Sequence, residues 1–293
     1  MLSQRISDCE KLIFSYSEEK FNINSTKQLG ELLFEKLGLP PVKKTKTGYS
    51  TNAEVLEKLK NKHPIIPAIM DYRMLTKLKS TYADGLIKEI REDGRIHTTF
   101  QNLVTATGRL SSTEPNLQNI PVRTDLGSEI RKMFVPKDGC VLVDADYSQI
   151  ELRVLAHIAE DAVMQNAFCS GMDIHTATAA QVFGVGVEEV TSLQRRHAKA
   201  VNFGIVYGIS EFSLAEDIGV SRYEAREYID NYLTNYQGVR RYMKQVVEDA
   251  RSVGYTETLY GRRRYIPELK SSNFNIRSGA ERIALNTPIQ GTA

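Results

Sequence analysis

The stretch Arg195-Arg196-His197-Ala198-Lys199-Ala200-Val201-Asn202-Phe203-Gly204-Ile205-Val206-Tyr207-Gly208 decides how this chain is read. As a helix it places Arg195, Lys199, Phe203 and Tyr207 four apart, in one slowly drifting row on a single face. The row spans about 18 Å at ~1.5 Å per residue. Its order is cation, cation, ring, ring, the same order of chemistry that runs along a nucleoside triphosphate from polyanion to sugar to flat base. Arg and Lys suit phosphate oxygens, and aromatic rings offer a surface to sugar and base. The opposite face carries Ala198, Val201 and Ile205, which suit a core. Taken alone, the row reads first as an ordinary amphipathic helix with solvated cations and two core aromatics. Its neighbours change that.

A second block, Asp144-Ala145-Asp146-Tyr147-Ser148-Gln149-Ile150-Glu151-Leu152-Arg153, lies upstream. The first run resembles motif B of the family A DNA polymerases, of the bacterial polymerase I type: Arg, three residues, Lys, three residues, Phe, three residues, Tyr-Gly. The second resembles motif A of the same family. Two long signatures in the expected order are specific, and the resemblance runs from near Phe21 to the last residue. It implies a mostly helical α/β fold with a small antiparallel palm sheet, an incomplete right-hand polymerase. Motif B would then lie on the fingers helix that closes over the incoming nucleotide.

Composition is compatible with this and does not demand it. The 293 residues are 41% hydrophobic and 25% charged, enough for a sizeable core and too long for one average domain. No apolar run is long enough to span a bilayer, and the first residues are no secretory signal. Cys9, Cys140 and Cys169 are far apart with no CxxC spacing, so reduced cytosolic thiols are expected. Net charge is only +2, with cations clustered at Lys43-Lys44-Thr45-Lys46, Arg195-Arg196, Arg240-Arg241 and Arg262-Arg263-Arg264. A protein that tracks DNA needs such local stripes rather than a basic whole.

Along the chain, Ser25 with Gln28 predicts a capping box, Leu29, Leu32, Leu33 and Leu37 an apolar stripe, and Gly38 the helix end. Thr51 with Glu54 predicts a second box, opening a helix that His63-Pro64 closes. A further helix follows through Leu75 and Leu78. The resemblance makes this region a thumb, with Lys43, Lys44 and Lys46 in a loop against the DNA minor groove. Ile96 to Val104 reads as a strand after the Asp93-Gly94 turn.

The stretch from Thr105 to Arg123 is crowded with hydrogen-bonding side chains, ordinarily a sign of turns. It also suits a surface that grips a duplex of any sequence, because minor-groove acceptors occupy similar positions in every base pair. The resemblance assigns Arg109, Asn116 and Gln118 to primer-template DNA and Arg123 to the triphosphate.

Val141-Leu142-Val143 reads as a short strand and Ile150 to Ile158 as a helix with Leu152, Leu155 and Ala159 inward. Asp146 falls at the junction. Mg²⁺ favours carboxylate, phosphate and water oxygens. The resemblance makes Asp146 a catalytic ligand of two Mg²⁺ ions with the Tyr147 carbonyl beside it, leaves Asp144 auxiliary, and makes Glu151 the sugar-selecting group. It further assigns Gln149, His175, Arg195, Lys199, Phe203 and Tyr207 to the deoxynucleoside triphosphate, with Lys199 also catalytic. Arg282, Asn286 and Gln290, four apart on the last helix, go to the template and primer side. Asp173 is an expected N-cap. Tyr223, Tyr228, Tyr232, Tyr236 and Tyr242 are expected to pack within the fingers.

The family's motif C, a His-Asp-Glu turn with the second metal-binding aspartate, does not occur in the sequence. The chain is therefore expected to be an internal fragment, inactive by itself: residues 1–85 thumb, 86–158 the first part of the palm with motif A, 159–252 fingers with motif B, and 253–293 the start of a second palm part. The parent activity would be template-directed DNA synthesis in replication and repair, by a monomer in the bacterial cytosol. Two alternatives stand beside it, a single-subunit phage-type RNA polymerase and a non-catalytic DNA-binding fragment. Glu151 argues against the former, because an enzyme using ribonucleotides keeps space for the 2′-hydroxyl.

Overall fold

Short polar side chains set where most of the helices begin. The computed structural model describes residues 1–17, 19–45, 48–122 and 125–293, in two compact units. The first comprises Met1–Gln101 and Ser111–Leu142, the second Asn102–Leu110 and Val143–Ala293.

In the first unit, α1 (Leu2–Ser17) packs on α4 (Ile65–Lys77), with α2 (Thr26–Gly30) and α3 (Ala53–Leu59) beside them. Ile13, Leu29, Leu33, Leu56, Leu59, Ile65, Ile66 and Ile69 are fully buried between these helices. Ser25 caps α2, while the Gln28 side chain accepts from the Asn22 N–H, so the expected box closes only halfway. A π-helical turn, Glu31–Lys36, continues α2, and Gly38 ends it at φ 64°. The cap of α3 is Asn52, whose side chain accepts from Val55 N at 3.0 Å, and not Thr51. Thr51 is buried, and both its hydroxyl and its carbonyl accept from the Arg73 guanidinium, which takes it out of competition.

The ladder of β1 (Lys44–Thr45) and β2 (Gly48–Tyr49) lies between α2 and α3 in sequence. A π-helical turn, Leu78–Ala83, joins α4 to α5 (Asp84–Lys88). Antiparallel β3 (Thr99–Gln101) and β4 (Ser111–Thr113) follow, then α6 (Asp125–Arg131). The strand expected over Ile96 to Val104 shrinks to three residues, because β4 offers only three partners and Leu103 and Val104 stand exposed. Val141-Leu142-Val143 is not a strand at all. All three are exposed and without a ladder partner among the described residues, and apolar character alone does not hold an extended segment in place.

The second unit is built from α7 (Ile150–Ile158), α8 (Ala162–Cys169), α9 (Ile174–Phe183), α10 (Ser192–Val206), α11 (Glu211–Ile218), α12 (Arg222–Asn235) and α13 (Gln237–Val253). The hairpin of β5 (Tyr255–Glu257) and β6 (Arg263–Tyr265) and then α14 (Phe274–Gln290) complete it. Asp161, Asp173, Thr191, Ser210 and Ser221 cap α8 to α12 in turn, each accepting from a backbone N–H in the first turn. The Asp161 carboxylate also accepts from Gly238 N at 2.8 Å at the start of α13. Gly238 is required there, since a Cβ would lie 2.7 Å from the Ala159 carbonyl oxygen. Leu152, Leu155 and Ala159 point inward as expected, joined by Met164, Val201, Ile205, Leu214, Val239 and Ile289.

Tyr228, Tyr232, Tyr236 and Tyr242 belong to this core, but Tyr223 is 77% exposed, on the outer side of the first turn of α12. Among the described residues the chain is mostly helical, with three two-stranded antiparallel sheets. No helix among the described residues is long and apolar enough to cross a membrane.

Candidate nucleotide and DNA site

The motif B row forms as the spacing requires. Thr191 and Gln194 make a reciprocal capping box at the start of α10. Ala198, Val201 and Ile205 face the core, which leaves Arg195 and Lys199 exposed and Phe203 half-buried. Tyr207 stands one step past the last helical residue, with φ −95° and ψ 4°. Gly208 follows at φ 64°, and a Cβ on it would lie 2.9 Å from Arg282 Cγ of α14. A glycine is therefore needed where the row meets the last helix.

The row divides into two clusters. At its upper end, Arg195 holds Asp173 with two parallel hydrogen bonds, Nε to Oδ2 at 2.8 Å and Nη2 to Oδ1 at 3.1 Å. Desolvation works against the Asp173 charge, but the Arg195 and Thr176 hydrogen bonds outweigh it and hold the carboxyl well below the usual carboxylate range. His175, in the first turn of α9, is buried, and its ring lies 5.8 Å from that of Phe203 at 41°. The Lys199 ammonium is 6.0 Å from the centre of the same Phe203 ring. Burial, against the attraction of the Asp173 charge and aided by the Arg195 and Lys199 charges, leaves His175 less basic than an ordinary imidazole.

At the lower end, Tyr207 donates to Glu151 Oε2 at 3.0 Å, and Arg109 pairs with Glu151 Oε1. The Glu151 side chain is only 12% exposed, so its carboxylate is fixed on both oxygens. Burial raises the Tyr207 phenol above its usual range against a hydrogen bond with Gln290, so it remains a donor at neutral pH. Glu151, Tyr207, Arg109 and Gln290 are thus brought together, from four segments distant in sequence. Arg282 is exposed, while Asn286 and Gln290 are half-buried on α14. The Asn286 carbonyl oxygen is buried without a partner among the described residues.

Asp144, Asp146 and Tyr147 stand in an exposed irregular segment that leads into the turn at Ser148 and Gln149 before α7. Gln149 closes that turn in the left-handed region, φ 56°, a rare conformation for a residue with a side chain. Arg153 braces it, donating from Nε to the Ser148 carbonyl at 3.1 Å while its guanidinium lies 4.6 Å from the Phe168 ring centre.

In the first unit, Lys43 and Lys44 are exposed, with the Lys44 ammonium 5.2 Å from the Tyr49 ring centre. The buried Ser112 hydroxyl organises the loop that follows β4: it donates to Asn116 Oδ1 at 3.2 Å and accepts from Leu117 N and Gln118 N. Asn116 Oδ1 also accepts from Gln118 N at 3.0 Å, so Asn116 shapes the loop that presents Gln118. Lys46 and Arg123 lie outside the described residues.

The family model described as DNA polymerase family A matches residues 1–293. The chain belongs to DNA polymerase family A. It is 58% identical to DNA polymerase I of Bacillus subtilis (strain 168) over 294 aligned residues, covering 100% of this chain and 33% of that protein. DNA polymerase I of Caldicellulosiruptor bescii is 57% identical, with 100% of this chain and 34% of that protein covered. Among solved structures, the POL domain of Pol1 from M. smegmatis, in complex with DNA primer-template and dNTP, superposes with a TM-score of 0.88 at 46% identity. That match covers 99% of this chain and 52% of the other. The chain therefore spans about a third of the length of the curated family A relatives it matches.

For Mg²⁺, the chemistry of the donors fits: the Asp146 carboxylate and the Tyr147 carbonyl are hard oxygen donors in an exposed segment. Among the described residues, no three His, Cys, Asp or Glu side chains stand together to hold a metal ion. Local sequence marks Asp173 only as a cap and does not mark Asn202 or Thr178 at all. The partner of Arg195 is 22 positions away, and nothing in local spacing marks it.

Proposed function

We propose that this chain carries the nucleotide-binding face and part of the primer-template surface of a DNA polymerase, an enzyme that transfers a deoxynucleotide to a primer 3′-hydroxyl. The observation that carries this reading is the row of exposed Arg195 and Lys199 and half-buried Phe203 on α10, with His175 packed against the Phe203 ring. Lys199 and Arg195 meet the triphosphate, Phe203 meets the sugar and base, and Tyr207 continues the stacking surface. Glu151, held by Arg109 and Tyr207, closes the space a ribose 2′-hydroxyl would occupy and so favours deoxynucleotides. Arg109, Gln118, Arg282, Asn286 and Gln290 supply donors toward the minor groove of the duplex, with Asn116 shaping the loop, and Lys43 and Lys44 supply charge toward its phosphates.

Asp146 and the Tyr147 carbonyl would hold Mg²⁺. When bound, two such ions activate the 3′-hydroxyl and stabilise the leaving pyrophosphate. Residues 1–293 bring one of the two aspartates that such a centre uses, so the purified chain is expected to bind primer-template DNA weakly and extend it little. We retain the division into thumb (1–85), palm (86–158), fingers (159–252) and a second palm segment (253–293), a monomeric state and a cytosolic setting as parts of this proposal. The test is equilibrium binding of a labelled primer-template duplex at several salt concentrations. Affinity that falls steeply with salt and barely changes with duplex sequence supports the reading. Salt-independent binding, or strong preference for one sequence, overturns it.

A further inference from the structure

Behind the nucleotide face lies a closed chain of buried polar groups that the reading above does not use. Tyr236, after the last residue of α12, has its hydroxyl 3.0 Å from Thr178 Oγ1 on α9. Thr178 Oγ1 donates to Asn202 Oδ1 on α10 at 3.2 Å and accepts from Asn202 Nδ2 at 3.0 Å. Asn202 Nδ2 lies 3.2 Å from His175 Nδ1. Thr178, Asn202 and Tyr236 are 0% exposed and His175 is 3% exposed. With Tyr236 donating to Thr178, every hydroxyl hydrogen is used once, and the Asn202 nitrogen, which carries two hydrogens, is shared between Thr178 and the imidazole.

An amide nitrogen only donates. His175 Nδ1 must therefore accept, and the ring proton must reside on Nε2. We propose that Asn202, held in place by Thr178 and with its amide nitrogen on His175 Nδ1, is a positioning residue that fixes His175 as a neutral Nε2–H donor beside Phe203. This deepens the nucleotide reading and rests on it for the identity of the acceptor, a phosphate oxygen of the incoming triphosphate. Positive charge at the site comes from Arg195 and Lys199, which together with Asp173 are the charged groups facing the ring. A second donor without charge adds direction to phosphate recognition and does not repel the two cations. The geometry also explains a polar asparagine in the core-facing row of α10, between Val201 and Ile205. Replacing it with an apolar residue would leave His175 Nδ1 unpaired in the interior and Thr178 with Tyr236 alone.

The experiment is imidazole ¹⁵N NMR on the whole chain, with His175→Gln identifying the signal among five histidines. The expected result is a single Nε2–H tautomer that stays neutral from about pH 8 to below the ordinary histidine value of ~6.5. Asn202→Asp supplies an acceptor in the same shape, so His175 should then carry a proton on Nδ1 and titrate at least tenfold more readily, one pH unit higher. A wild-type ring protonated on Nδ1, or one titrating at the same pH in wild type and Asn202→Asp, overturns the proposal. The wild-type tautomer is decisive even if the variant fails to fold. Adding dGTP with Mg²⁺ separates the two readings: the Nε2–H resonance should shift on binding. A fixed tautomer with no shift leaves the positioning role standing and removes the phosphate.

Discussion

Arg195 and Asp173 form a two-point ion pair that ties the start of α10 to the cap of α9, with Nε to Oδ2 at 2.8 Å and Nη2 to Oδ1 at 3.1 Å. The same carboxylate accepts from Thr176 N at 3.0 Å, so one side chain both caps a helix and aims the first cation of the α10 row. Because the folded-state carboxyl is depressed, its contribution to stability is present in full above the unfolded carboxylate value of ~3.9 and is lost as pH falls below it. Asp173→Asn should lower stability at pH 7 by roughly 1 kcal/mol, since both partners are partly exposed and the pair is screened. The difference from wild type should shrink below about pH 4. Urea denaturation at pH 7, 5 and 3.5 reads this directly, and a pH-independent difference would assign the effect to the cap alone.

Lys199→Ala should reduce nucleotide incorporation far more than DNA binding, in an enzyme completed with the C-terminal segment of a relative. Loss of a charge-assisted contact that tightens in the transition state costs about 2 kcal/mol, roughly 30-fold in kcat/KM. Equal losses in duplex affinity and in incorporation would place Lys199 on the DNA side. Phe203→Tyr in the same enzyme should leave normal incorporation nearly intact and admit dideoxynucleotides more readily, since the added hydroxyl can take the hydrogen bond of the missing 3′-hydroxyl.

Glu151→Ala should relax discrimination against ribonucleotides by opening space at the 2′ position, roughly tenfold or more in the ratio of kcat/KM values for the two sugars. Tyr207→Phe removes the donor to Glu151 Oε2 and should shift the ratio in the same direction by less, because Arg109 still holds the other oxygen. Unchanged selectivity in both variants would make the Glu151 cluster purely structural.

Tyr232 and Tyr236 provide a matched pair in the core, with ring centres 4.7 Å apart. The Tyr232 hydroxyl is buried without a hydrogen-bond partner among the described residues, whereas that of Tyr236 meets Thr178 at 3.0 Å. Tyr232→Phe should be neutral or stabilising by up to about 1 kcal/mol, and Tyr236→Phe destabilising by about 1–2 kcal/mol. Thermal melts of the two variants check the sign, which opposite behaviour would reverse.

Local features were readable where the physics is local. The four-residue row from Arg195 to Phe203, the inward Leu152 and Leu155, the Asp173 cap and the glycine stop at Gly38 follow from helical periodicity, capping chemistry and backbone freedom. The two signatures around Asp146 and Lys199 carried the family. Tertiary structure decided the rest, because it depends on groups far apart in sequence. Asn52 rather than Thr51 caps α3 because Arg73, 22 residues beyond Thr51, takes the Thr51 hydroxyl and carbonyl. Val141 to Val143 has the composition of a strand yet forms none, because a strand exists only through hydrogen bonds to a neighbour. Glu151 gained its two partners from positions 42 residues upstream and 56 residues downstream, and Asn202 met His175 across 27. Spacing along a chain fixes which side chains share a face; which faces meet, and hence what holds each site residue, is decided only when the helices pack.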